Sequence, residues 1–190
     1  HDASHLEGVD LVVVSPAVFF QSADSGEVIE AKKRGILITW QEFLGKYLHQ
    51  GKKVIAVAGT HGKSTTTAMV GKLLEDAGLD PLVSLGAKVE KWGGSTRFGK
   101  GKYFVTEADE FFDNFLNYHP EIMIINNIEF DHPDYFKDEE SVLNSFRKFA
   151  GNLRGEKALI VNEDDPGVKR LLKDLDLKDL YNMRCMCKKS

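Results

Sequence analysis

The stretch Val54-Ile-Ala-Val-Ala-Gly-Thr-His-Gly-Lys-Ser-Thr-Thr-Thr67 decides the fold of this chain. Its first five residues are apolar, which is typical of a buried strand. Glycines at 59 and 62 then predict a sharp turn, and a helical pattern begins at Lys63. A strand, a glycine turn and a helix that starts with Lys-Ser are the structural context of a phosphate-binding loop. We therefore predict an α/β domain built around this loop.

The predicted loop offers groups that suit nucleotide phosphates. Glycines let backbone N–H groups surround phosphate oxygens, and a helix N-terminus adds unpaired donors. Lys63 is expected to reach the terminal phosphates of ATP, and Ser64 to offer its hydroxyl to Mg²⁺. The other predicted ATP-binding residues are Gly59, Thr60, His61, Gly62 and Thr65.

The loop departs from the standard phosphate-loop pattern at one position. That pattern has its first glycine where this chain has Val57, so only the shorter form from Gly59 onward matches. An ordinary turn between a strand and a helix, with Lys63 simply solvated, is the alternative interpretation.

Predicted strands alternate with predicted helices along most of the chain. The strands are expected at 10–14, 36–39, 54–58, 81–85, 103–106, 122–125 and 158–161, and the helices at 25–35, 40–50, 63–78, 138–153 and 165–175. The helix after the loop is expected to bury an apolar face made by Met69, Val70, Leu73, Leu74 and Ala77. This alternation predicts a parallel sheet covered by helices on both faces.

Composition excludes several classes of function. The 190 residues are 42% hydrophobic and 28% charged, as in an ordinary globular domain. A net charge of −4 without a basic stripe argues against nucleic-acid binding. No apolar run approaches the roughly 18 residues that cross a membrane, and without a visible signal peptide we expect a cytoplasmic protein. The two cysteines, Cys185 and Cys187, are too few for a zinc site, and we predict reduced thiols.

Two polar segments follow other predicted strands. Glu107-Ala-Asp-Glu110 follows the strand at 103–106, and Asn126-Asn-Ile-Glu-Phe-Asp-His132 follows the strand at 122–125. Because ligands of parallel sheets bind beyond the carboxyl ends of the strands, we expect both segments beside the phosphate loop. A carboxylate there is a natural Mg²⁺ ligand. The alternatives are a solvated acidic loop and a histidine that is only hydrogen-bonded.

These three segments resemble the Mur ligase family, whose members add amino acids to UDP-N-acetylmuramic acid during peptidoglycan synthesis. The resemblance rests on Gly-Thr-His-Gly-Lys-Ser-Thr, Glu-Ala-Asp-Glu and Asn-Ile-Glu-x-Asp-His. It implies that Glu107 binds one Mg²⁺ and His132 a second, and that both act in catalysis with Lys63. Asp109 and Glu110 would support the metal site. Asn127 and Asp131 match positions that shape the loop or face the substrate.

The resemblance also implies a reaction and a domain plan. ATP would convert the carboxylate of UDP-N-acetylmuramate to an acyl phosphate, which an amino acid, L-alanine in the most similar branch, then attacks. Residues 1–50 resemble the C-terminal part of the Rossmann-like domain that binds the UDP substrate, and 51–190 the central ATP-binding domain. The family's C-terminal amino-acid-binding domain is expected to be absent from this chain. Alternatives are a ligase for murein tripeptide, or a phosphate-loop ATPase or nucleotide-binding module without ligase activity.

Overall fold

The structure is a computed structural model that describes residues 2–155, 157–175 and 181–184. Cys185 and Cys187 lie outside these residues. The chain divides into two compact units, His1–Leu48 and His49–Ser190. Within the described ranges, no helix is both long enough and apolar enough to cross a membrane.

The first unit is a small α/β arrangement. It contains a 3₁₀ turn at Ala3–Leu6, β1 at Val12–Val14, α1 at Val18–Gln21, α2 at Gly26–Lys33, β2 at Leu37–Thr39, α3 at Trp40–Phe43 and a π-helical turn at Leu44–Leu48. Strands β1 and β2 pair in parallel. The Ser25 hydroxyl accepts from the Val28 N–H and so caps α2. The first strand is half-buried because its sheet has two strands, and Val13 is 37% exposed.

The second unit is built on a seven-stranded sheet. Its strands are β3 at Lys53–Ala58, β4 at Leu82–Val89, β5 at Gly94–Arg97, β6 at Tyr103–Glu107, β7 at Ile122–Ile125, β8 at Ala158–Val161 and β9 at Tyr181–Arg184. The order across the sheet is β5-β4-β6-β3-β7-β8-β9. All neighbours are parallel except the β4–β5 hairpin. The prediction of a parallel sheet is therefore confirmed except for the antiparallel β5, and neither β5 nor β9 was among the predicted strands.

Among the described residues of this unit, three helices accompany the sheet. They are α4 at Lys63–Asp76, α5 at Glu139–Gly151 and α6 at Pro166–Asp174, and shorter 3₁₀ turns lie at Glu90–Trp92 and Phe111–Asn117. Asp138 caps α5, and Asp165 caps α6. Helix α5 buries one apolar face, whose residues include Val142, Leu143, Phe146 and Phe149.

The central strand β3 is buried along nearly all of its length. Residues 54–58 are each at most 4% exposed, as expected for a strand with a parallel neighbour on both sides. The carboxyl ends of β6, β3 and β7 consequently lie side by side at one edge of the sheet. This edge carries the three segments that the sequence singled out.

The predicted buried face of α4 is partly wrong. Met69 and Leu73 are 61% and 67% exposed, whereas Thr67 and Gly71 are buried. The helix approaches the sheet so closely at Gly71 that an added Cβ would lie 2.8 Å from Cγ2 of Val83. Since the helix packs through its smallest side chains, the larger pair one turn apart is rotated away from the sheet.

Candidate active site

The turn between β3 and α4 is a loop of four residues, 59–62, which we call the glycine loop. Gly59 has φ of 131°, and Gly62 has φ of 79° in the left-handed region that favours glycine. An added Cβ at Gly59 would lie 3.0 Å from the Asn127 carbonyl oxygen. Val57 belongs to the buried strand, so the loop is shorter than the standard pattern and begins two residues later.

The segment after β7, residues 126–132, binds the backbone of the glycine loop. His61 donates its N–H to Oδ1 of Asn127 at 2.8 Å and accepts from Nδ2 of the same side chain at 3.2 Å. Nδ2 of Asn126 donates to the same carbonyl of His61 at 3.2 Å. One asparagine therefore satisfies both backbone groups of His61, and a second adds to the carbonyl.

Thr60 joins the same two segments by three contacts. Its N–H donates to the Asn127 carbonyl at 3.2 Å, and its hydroxyl accepts from the Glu129 N–H at 2.9 Å. The hydroxyl also donates to the Glu129 carbonyl at 3.3 Å. The Thr60 side chain is thus engaged in shaping the loop, although the sequence analysis predicts it among the ATP-binding residues. That predicted role stays a prediction.

Sequence reasoning overlooked Asn126. Its amide donates to His61, and its Oδ1 accepts from the Thr66 hydroxyl at 3.3 Å. The available signal was its position, because a polar amide at the first residue after a buried strand already lies at the edge of the sheet. The sequence predicts a role for Asn127 of this pair but none for Asn126.

Lys63 lies in the first turn of α4, and its ammonium is surrounded by oxygens. Nζ donates to Oε2 of Glu110 at 2.9 Å, to the Gly59 carbonyl at 2.8 Å and to the Thr60 carbonyl at 3.4 Å. Asp109 adds a longer ion pair at 3.7 Å. Lys63 is therefore not simply solvated, since its side chain is 16% exposed.

Glu110 is the buried partner in this group. Its side chain is 3% exposed, and its Oε1 is buried without a hydrogen-bond partner among the described residues. Burial raises the pKa of the Glu110 carboxyl above its usual value, and the Lys63 ammonium partly opposes that shift. Without its bond to Lys63, a charged Glu110 carboxylate at this buried position would therefore lower the stability of the fold.

Glu107 and Ser64 lie at the same edge of the sheet. Glu107 ends β6 opposite Val57 of β3, and its Oε1 accepts from the Gly86 N–H at 3.0 Å. Ser64 occupies the first turn of α4, which follows β3 directly. The backbone bond from Gly86 fixes the orientation of the Glu107 carboxylate.

His132 lies beside the acidic segment after β6. Its backbone N–H donates to Oδ1 of Asp131 at 2.7 Å, and the centroid of its ring lies 4.4 Å from the ring centroid of Phe111. Asp109, Glu110 and His132 each offer a ligand atom, and these atoms lie within 4.8 Å of one another. The structure therefore groups His132 with Asp109 and Glu110, which the sequence analysis ranked behind Glu107. Two carboxylates and an imidazole are a donor set that divalent cations accept.

A cavity of about 430 Å³ lies against another part of the same segment. It is lined by residues 128–130 and by the first turns of α5 and α6, including Glu139, Asp165 and Arg170. Lys63, Glu107 and His132 are not among its lining residues. The cavity is thus separate from the charged groups around Lys63.

Comparison with known proteins identifies the family to which this chain is related. Residues 57–184 match the family model of the Mur ligase middle domain. The chain belongs to the Mur ligase family.

Curated members of the Mur ligase family cover nearly all of this chain. The UDP-N-acetylmuramate–L-alanine ligase of Caldicellulosiruptor saccharolyticus is 42% identical over 95% of the chain and 39% of its own length. The ligase of the same name from Alkaliphilus metalliredigens is 41% identical over 93% of the chain and 38% of its own length. The chain therefore spans about two fifths of these relatives.

Solved Mur ligase structures have the same fold. The UDP-N-acetylmuramate:L-alanyl-gamma-D-glutamyl-meso-diaminopimelate ligase of Neisseria meningitides is 27% identical with a TM-score of 0.80, over 95% of this chain and 61% of that one. The UDP-N-acetylmuramate–alanine ligase of Thermotoga maritima is 28% identical with a TM-score of 0.76, over 96% of this chain and 41% of that one. The predicted family and fold class are confirmed.

Proposed function

We propose that this chain is the ATP-binding part of a ligase that joins L-alanine to UDP-N-acetylmuramate. One observation carries the proposal: the glycine loop and Lys63 lie at the sheet edge where β6 and β7 deliver carboxylates and His132. The names of the curated relatives support the choice of substrates. A cytoplasmic location, without nucleic-acid or membrane partners, remains our expectation.

In this proposal residues 59–65 bind the phosphates of ATP. The left-handed Gly62 turns the chain into α4, whose first N–H groups would donate to an anion bound at the helix N-terminus. Lys63 adds a full positive charge at the same place. The bonds from Asn126, Asn127 and Thr60 hold the loop in shape, so less ordering is required when phosphate binds.

The residues present fit a magnesium-dependent reaction. Glu107 is oriented by Gly86, and Asp109, Glu110 and His132 form a second set of ligand atoms. We assign Ser64 and Glu107 to one ion and His132 to another, with Asp109 and Glu110 as further candidates. Bound Mg²⁺ would neutralise phosphate charge, which is the chemistry that phosphoryl transfer requires.

The contribution of the chain to catalysis is orientation and charge stabilisation. Lys63 would stabilise charge on the transferring phosphoryl group, which would pass to the carboxylate of UDP-N-acetylmuramate. An acyl phosphate formed in this way is attacked by the amine of the amino acid, and phosphate leaves. Asn127 and Asp131 are proposed to shape this side of the site. The chemistry requires no nucleophile from the protein.

A ligase for a murein peptide is the second candidate. The structural neighbour from Neisseria meningitides, with a TM-score of 0.80, is named for a tripeptide substrate. The higher identity of 42% to L-alanine ligases favours the amino acid. We further propose that the first unit is the C-terminal part of a domain that binds the UDP substrate.

The test is a substrate comparison with the full-length protein. It is incubated with Mg·ATP, UDP-N-acetylmuramate and either L-alanine or the tripeptide L-alanyl-γ-D-glutamyl-meso-diaminopimelate, and amide product and ADP are both quantified. The proposal predicts one amide per ADP with L-alanine. Product with the tripeptide alone would support the second candidate. ADP without any amide would instead indicate a plain ATPase.

A further inference from the structure

We propose that Glu110 competes with nucleotide phosphate for the Lys63 ammonium and so lowers the affinity of the glycine loop for ATP. The inference rests on the proposed function of residues 59–65 as a phosphate-binding loop. It assigns Glu110 a role as a positioning residue for Lys63.

The first argument is the number of donors on Lys63. An ammonium has three N–H donors, and three acceptors from the described part of the chain lie within 3.4 Å: the carbonyls of Gly59 and Thr60, and Oε2 of Glu110. A phosphate oxygen can bond to this ammonium only if one of the three contacts is lost or shared. The charged acceptor among them is Glu110.

The second argument is the effect of the Glu110 charge in either case. If Lys63 leaves Glu110 for a phosphate, the 2.9 Å bond to a buried carboxylate is lost. If Lys63 keeps that bond, the carboxylate offsets the positive charge that attracts phosphate and lies close to the incoming anion. Both cases reduce phosphate affinity, so the inference does not depend on which contact is exchanged.

The third argument is burial. The side chain of Glu110 is 3% exposed, whereas that of Asp109 is 41% exposed and lies 3.7 Å from Lys63. Water screens the charge of Asp109 more strongly than that of Glu110. The other carboxylate oxygen of Glu110, Oε1, has no hydrogen-bond partner in the described part of the chain, so no second donor offsets the loss of Lys63. Glu110 is therefore the dominant competitor, and Asp109 provides a matched control.

The experiment measures the affinity of the full-length protein for ATP by calorimetry in EDTA, so that metal ligation does not contribute. Glu110→Gln keeps the size of the side chain and removes its charge. We expect ATP to bind about tenfold more tightly, as for the loss of a competing charged hydrogen bond. Asp109→Asn removes the same charge from the exposed neighbour, and we expect a change of about twofold or less.

Three results would overturn the inference: unchanged or weaker ATP binding by Glu110→Gln, or an equal gain in Asp109→Asn. If Glu110→Gln does not fold, as judged by thermal unfolding, Glu110→Asp replaces it. This variant keeps the charge but shortens the side chain by one methylene, and a gain of about threefold is expected; no gain contradicts the inference. Wild-type protein that binds ATP neither in EDTA nor with Mg²⁺ present would instead contradict the proposed function itself.

Discussion

The Asn127 side chain hydrogen-bonds to both the N–H and the carbonyl of His61. It thus satisfies the backbone of the glycine loop in the way that a neighbouring strand satisfies the backbone of a β-strand. An amide is one of the few side chains that can donate and accept in this way. Thr60 adds bonds to the backbone at Glu129. These hydrogen bonds join the glycine loop to the segment 126–132. We therefore expect a substitution in one of them to alter the conformation of the other.

Glu107 allows a test of the metal assignment at the scale of one residue. Glu107→Gln retains an oxygen that can accept from the Gly86 N–H but loses the carboxylate charge that a hard cation prefers. We expect the Mg²⁺ concentration for half-maximal ligase activity to rise about tenfold, because one charged ligand contributes on that order to binding.

The matched control is Glu90→Gln, which removes the same charge from an exposed 3₁₀ turn. Its Mg²⁺ requirement should equal that of the wild type. An unchanged requirement in Glu107→Gln, in a protein that remains folded, would mean that Glu107 is not a metal ligand.

The sequence predicts which residues carry chemistry, but it does not predict which partners their side chains contact. The position after predicted strands predicts that Lys63, Glu107 and His132 lie at one edge of the sheet, as the structure shows, whereas the resemblance to the family is what implies metal-binding roles for Glu107 and His132. The Lys63–Glu110 pair could not be foreseen, because the two residues lie 47 positions apart in the sequence and meet only in the folded sheet. The turn after Glu110 could not be foreseen either, since Phe112 and Asp113 adopt positive φ of 54° and 56°, a conformation that nothing in their residue types requires.

At the scale of elements, apolar runs located the central strands but did not orient α4. The apolar run of β3 predicts a strand buried on both faces, and every residue of that run is buried. In α4, apolar residues occur around most of the helix, so the pattern did not fix which side faces the sheet. Gly71 decides it by permitting the closest approach, and a glycine carries no hydrophobic signal.

Gly167 in the first turn of α6 tests how the helices support the site. An added Cβ would lie 2.0 Å from the Ile128 carbonyl oxygen, next to Asn127. Asp165, the cap of α6, also accepts from the Ile128 N–H at 3.1 Å. We expect Gly167→Ala to lower the free energy of unfolding in urea by about 2 kcal/mol, because the backbone must move to relieve the overlap.

Gly151→Ala in the last turn of α5 is the control for this substitution. Nothing lies within 4 Å of a Cβ added there. Replacing a helical glycine by alanine should then raise the free energy of unfolding, by up to about 1 kcal/mol. Equal effects of the two substitutions would show that α6 does not pack tightly against the segment at Ile128.

At the scale of the whole molecule, stability should depend on pH through His49. This histidine is 1% exposed, and neither ring nitrogen has a hydrogen-bond partner among the described residues. It packs against Phe104 and Tyr118. Burial, aided by the charges of Arg154 and His119, lowers the pKa of His49 from 6.5 to about 4.

The sign of the effect follows from the neutral state of the folded histidine. Above pH 6.5 His49 is neutral in both folded and unfolded chains, and its contribution to stability is fully present. As pH falls from 6.5 to about 4, the unfolded chain takes up a proton first, and stability is lost.

Urea unfolding measures this loss. We expect His49 to account for a decrease of roughly 2 kcal/mol in the free energy of unfolding between pH 7 and pH 5. His49→Phe should remove that part of the decrease, whereas His119→Gln, at an exposed position, should leave most of it. The same pH dependence in His49→Phe and wild type would rule out His49 as the source.

The central claim is that the glycine loop binds ATP through Lys63, and calorimetric titration of the full-length protein with Mg·ATP tests it most directly. Lys63→Met should weaken binding about a hundredfold in a protein that still folds, although it should unfold at a lower temperature because buried Glu110 loses its partner. Lys72→Met, at an exposed lysine of the same helix that pairs with Asp76, should change the affinity by about twofold or less. Wild-type affinity in a folded Lys63→Met protein would contradict the claim.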